Sequence, residues 1–177
     1  FEQAIHHKDQ ILAGQVLDDV FTNPDFRDLI APTSRLFSNN LLTLDLSTKD
    51  RYMAQRFALL SNDFETVATL IKPETPKDAL IKAVALNDFS NLTNSSALDS
   101  VIAKAFRAGR VPFAVGSLME QHKLGEAILT ALIQFEKGSS GDLQDLMDSL
   151  STLRFLGLDE TARRATLYLL IVGDHEH

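Results

Sequence analysis

Apolar residues recur at spacings of three and four along most of the chain, as they do on one face of an α-helix. The clearest stripe runs from Leu98 to Phe106, and another runs from Leu124 to Phe135. Short polar turns separate such stripes, for example Ser61-Asn62-Asp63, Asn87-Asp88 and Gly157-Leu158-Asp159. Because Gly and Asn accept a positive φ and Asp or Ser caps the next helix, the pattern predicts antiparallel helical hairpins.

Capping signals mark where several of these helices begin. Residues 47–50, Ser-Thr-Lys-Asp, resemble a capping box, and Thr75-Pro76 predicts a second helix start. Asn23-Pro24 predicts a third start, and Pro32 is expected to end the short segment that follows, because proline cannot donate an interior helical hydrogen bond. The first apolar stripe predicts one helix over Glu2 to Phe21.

One stretch departs from the helical period. Over Leu41 to Ser47, leucines alternate with polar residues as they do in a half-buried strand. A lone strand has no partner here, so we interpret the stretch as a helix end followed by an extended linker. The linker separates N-terminal helices over 1–46 from a helical-hairpin array over 47–177. We expect the two to form one continuous domain, or a fragment of a longer chain.

The predicted fold class is therefore all-α, with stacked antiparallel helical hairpins that form an α-solenoid-like domain or an irregular helical bundle. We expect more than about 60% helix, well above the average for globular proteins. The large apolar residues of the C-terminal stripes are predicted to share one core, which contains Leu98, Val101, Ile102, Phe106, Ile128, Leu132, Phe135, Leu146 and Leu150.

Two stretches in the C-terminal part of the chain, Lys123 to Leu129 and Leu153 to Arg164, are similar to bacterial helical-repeat proteins. They resemble tetratricopeptide-like arrays and the helical superhelix of some lytic transglycosylases. The chain departs from the tetratricopeptide pattern, since it keeps no period of about 34 residues and lacks the Trp, Tyr and Pro signature. The resemblance implies a helical architecture and no particular activity.

Composition narrows the classes of function. A net charge of −7 and a pI near 5.1 argue against nucleic-acid binding, because duplex affinity depends on clustered Lys and Arg, and the 17 basic residues are scattered. The apolar run Leu167 to Val172 is too short to span a membrane. The chain has no cysteine, which excludes disulfides and thiolate zinc sites. It begins with Phe1, which leads us to expect a processed or excised chain. The compartment stays open, with a soluble, periplasmic or secreted location favoured.

No group of residues has the pattern of a catalytic, cofactor-binding or metal site. His7 has neither a carboxylate nor a histidine four residues away, since Gln3 and Ile11 stand there, so a zinc chelate is not predicted at His6-His7, and His175 to His177 lies at the chain end. Most aspartates stand where a helix needs a cap. The acid groups within residues 120–122 and 159–160 have no accompanying nucleophile or oxyanion element. We therefore expect no catalytic residue and no cofactor in this chain.

Two surfaces are candidates for partner binding. Basic residues on outer helix faces would suit an acidic protein, with a solvated face as the alternative: Lys104, Arg107, Arg110, Arg163 and Arg164. The last helix carries six successive apolar residues, although a surface helix needs only one apolar stripe. We expect a homo-oligomer seam there, with the first helix folded over the last as the rival explanation. The seam residues are Leu167, Leu169, Leu170 and Ile171.

These patterns favour a non-catalytic interaction or scaffolding module that binds another protein of unknown identity, since helical arrays present extended surfaces and need no chemistry of their own. The alternative is a helical accessory domain of a larger enzyme that acts on cell-wall glycan, with the catalytic domain outside this sequence. The full-length gene distinguishes the two, because it either contains such a domain or does not.

Overall fold

The computed structural model describes residues 1–93, 96–107 and 112–173. Within these ranges it contains eleven α-helices, one 3₁₀ helix over Pro24–Phe26 and no strand, and about 77% of the described residues are helical. The all-α prediction and the expected helix content are confirmed. The α-helices are α1 Glu2–His6, α2 Gln10–Thr22, α3 Arg27–Leu42, α4 Thr48–Ala58, α5 Phe64–Leu70, α6 Pro76–Leu86, α7 Ala97–Arg107, α8 Phe113–Glu120, α9 Leu124–Ser139, α10 Leu143–Phe155 and α11 Asp159–Val172.

The helices group into two compact units. The first contains residues 1–72 together with the end of α11 from Leu167 onward, and the second contains residues 73–166. In the first unit α4 packs against α2 and α3, and in the second α10 packs against α7 and α9, with α8 also on α9. A domain boundary after residue 46 stays a prediction. Among the described helices, none has both the length and the apolar character that a membrane crossing requires.

The first unit buries aromatic rings and one face of the linker. Phe57 of α4 is fully buried, and the centroid of its ring lies 5.0 Å from that of Phe1. Leu44 and Leu46 are buried, whereas Asp45 between them is exposed. The alternation of leucines therefore comes from a non-helical segment between α3 and α4 that buries one face, which confirms the interpretation as a helix end and linker.

The first predicted helix is wrong in one respect, because the chain breaks it into α1 and α2. The break lies at Lys8, which adopts a φ of 51°. Asp9 then caps a new helix, since its carboxylate accepts a hydrogen bond from the backbone N–H of Leu12 at 3.0 Å. The apolar periodicity continues across the break and predicts one helix. The left-handed conformation of Lys8 and the cap at Asp9 nevertheless divide it into two.

The expectation that Pro32 ends a helix is also wrong, because this residue lies inside α3. Its ring removes one backbone hydrogen bond. The hydroxyl of Thr33, the next residue, donates to the carbonyls of Leu29 and Ile30 on the preceding turn. Burial of Ile30 and Leu41 on the two sides of the proline stabilises the continuous helix.

The caps predicted at Ser47 and Thr75 are confirmed. The Ser47 hydroxyl accepts from the backbone N–H of Asp50 at 3.2 Å at the start of α4. At the start of α6 the Thr75 hydroxyl accepts from Asp78 N–H at 3.1 Å, and the Asp78 carboxylate accepts from Thr75 N–H at 3.0 Å, which completes a capping box. Asn87 ends α6 in the left-handed conformation, with a φ of 53°.

The predicted core of the second unit forms only in part. Four of its members are buried: Ile102, Phe106, Leu146 and Leu150. Four others are half-buried: Leu98, Val101, Ile128 and Phe135. Leu132 of α9 is instead 48% exposed. Helix α9 is therefore turned so that part of its predicted core face meets solvent.

Candidate functional site

Helix α9 presents its large aliphatic side chains to solvent. Leu129 is 62% exposed and Ile133 is 55% exposed, while Leu124 and Leu132 are each 48% exposed. Single exposed apolar residues are ordinary, but Leu129, Leu132 and Ile133 follow at three- and four-residue spacing and share one side of the helix. We call the outward side of α9 that carries Leu129, Leu132 and Ile133 the α9 face.

The most deeply buried positions of α9 are small residues. Ala127 and Ala131 are fully buried, and Gly138 is also buried. A Cβ added to Gly138 would lie 2.6 Å from the backbone nitrogen of Leu146, so the backbones of α9 and α10 approach too closely for any larger residue. The buried hydroxyl of Ser149 donates to the carbonyl of Ala131 at 2.7 Å across the same contact. Close packing of α9 on α10 therefore leaves the large residues outside.

Charged groups stand at both ends of the α9 face. At its start, the ammonium of Lys123 lies 3.3 Å from the carboxylate of Glu126. At its end, an open groove of about 560 Å³ is lined by Ile133, Glu136, Lys137, Ser140 and Asp142. Exposed ion pairs contribute little to stability. These charged residues therefore act mainly by making the two ends of the α9 face polar.

The basic residues predicted to bind a partner differ in their surroundings. Lys104 is exposed on α7, whereas the guanidinium of Arg107 donates to the carbonyl of Phe89. Arg163 donates to the carbonyl of Ala85 at 2.9 Å, near the end of α6. Arg164 pairs with Glu160 at 2.8 Å, and Arg110 lies outside the described residues. Their role in partner binding stays a prediction.

Arg154 is a structural residue that sequence reasoning missed. Its guanidinium lies 5.1 Å from the centroid of the Phe106 ring and donates to the carbonyl of Phe106 at the end of α7. Its Nε also lies 2.9 Å from a carboxylate oxygen of Asp159. The Arg154 guanidinium thus donates a hydrogen bond to a free carbonyl at the end of α7 and also pairs with the Asp159 carboxylate. The sequence carried no signal for it, because the contact joins residues far apart in the chain.

The apolar end of α11 is mostly interior. Leu167, Leu170 and Ile171 are buried, and Leu169 is half-buried. In the same unit, the Tyr168 hydroxyl donates to the carbonyl of Arg27 at 3.4 Å. Burial, with a smaller effect from the charge of Asp28, raises the pKa of Tyr168 above its ordinary value. The chain itself covers three of the four predicted seam residues, and self-association through them stays a prediction.

The acidic and histidine residues do not converge on one point in the described ranges. No group of three or more His, Asp or Glu side chains in these ranges is arranged to hold a metal ion. His6 and His7 are exposed, with ring centroids 5.0 Å apart, while His175 and His177 lie outside the described residues. Asp142 caps α10 by accepting from two backbone N–H groups.

The resemblance to tetratricopeptide-like arrays and to lytic transglycosylases agrees with the helical architecture and adds no site. Comparison of the chain with protein-family models, with curated proteins and with solved structures found no match.

Proposed function

We propose that this chain is a non-catalytic helical interaction module that binds a protein through the α9 face. The observation that carries the proposal is the exposure of Leu129, Leu132 and Ile133 on a helix whose most deeply buried positions are the small residues Ala127, Ala131 and Gly138. A helix that needed only to fold would bury its large apolar residues, because each contributes about 1.5–3 kcal/mol when removed from water. The exposed row suits a second helix, since helix-to-helix recognition uses anchors at three- and four-residue spacing.

The electrostatic setting supports a protein partner over other ligand classes. The chain carries a net charge of −7, which disfavours nucleic acid and anionic membrane surfaces. The α9 face is convex apart from the groove at its end, whereas small-molecule sites are enclosed and concave. A row of aliphatic side chains with charges at both ends has the composition of a protein interface, with an apolar centre and a polar rim.

Site-specific photo-crosslinking in cells that express the native gene tests this proposal. A photoreactive phenylalanine analogue placed at Leu132 is expected to give a covalent adduct with a protein, which mass spectrometry identifies. The same analogue placed at Leu36, which is 71% exposed on α3, is the matched control and should give no specific adduct. An adduct with a second copy of the chain or with another protein supports the proposal. Failure to crosslink at each of positions 129, 132 and 133 would overturn it.

A further inference from the structure

We draw no further inference here: the strongest candidate, the small cavity of about 160 Å³ between the end of α2 and the start of α3, has Arg27 as its one charged lining residue with the exposed acids Asp25 and Asp28 close to it in the chain, so its charges and its size select no class of ligand.

Discussion

Replacing Phe106 with alanine is expected to lower the free energy of unfolding by about 3–5 kcal/mol. The ring is 4% exposed, stacks on Phe89 with centroids 5.1 Å apart, and lies beneath the guanidinium of Arg154. Removing it leaves a cavity and takes away the aromatic face that the arginine covers. Urea denaturation followed by circular dichroism at 222 nm measures the loss.

Phe113→Ala is the matched control for this substitution. Phe113 stands at the start of α8 and is 94% exposed, so its removal should change the free energy of unfolding by less than about 0.5 kcal/mol. Similar losses for Phe106→Ala and Phe113→Ala would contradict the packing of the second unit.

A second large effect is expected at Gly138, where alanine should lower the free energy of unfolding by about 1–3 kcal/mol. Alanine is the better helix former, by about 1 kcal/mol, so propensity predicts the opposite sign. The new methyl group would lie 2.6 Å from the Leu146 backbone, which cannot move as a flexible side chain does. Helix α9 would therefore have to move away from α10. Thermal or urea unfolding measures the resulting loss in the free energy of unfolding.

Gly116→Ala supplies the comparison for this effect. An added Cβ at Gly116 of α8 meets no atom within 4 Å, so alanine there should raise stability by up to about 1 kcal/mol. Opposite signs at the two glycines are the expected result. A stabilising Gly138→Ala would show that α9 and α10 are farther apart than the structure places them.

Local signals predicted most of the helix starts and the fold class. The caps at Ser47 and Thr75 involve residues three apart in sequence, so the pattern that predicts them contains both partners. The linker after α3 could also be predicted from the sequence, because Leu44 and Leu46 alternate with polar residues when one face of the linker is buried. Pro32 was misread, since burial of α3 outweighs the local cost of proline.

One core residue of α9 was misplaced, because the sequence pattern puts Leu132 inside, whereas it is 48% exposed. Both sides of α9 are apolar, so periodicity does not distinguish them. The distinguishing signal was the spacing of Ala127, Ala131 and Gly138, which favours close backbone packing. Contacts such as that of Arg154 with Phe106 depend on tertiary structure and leave no local pattern.

The most direct test of the account is the stability of a chain in which the α9 face is made polar. Leu129 and Ile133 are exposed on α9, and we expect them to contribute to association and little to folding. The double variant Leu129→Gln/Ile133→Gln should unfold within about 0.5 kcal/mol of the wild type when urea denaturation is measured on dilute, monomeric protein. A loss of about 3 kcal/mol or more, as expected when buried aliphatic residues are replaced, would contradict the claim.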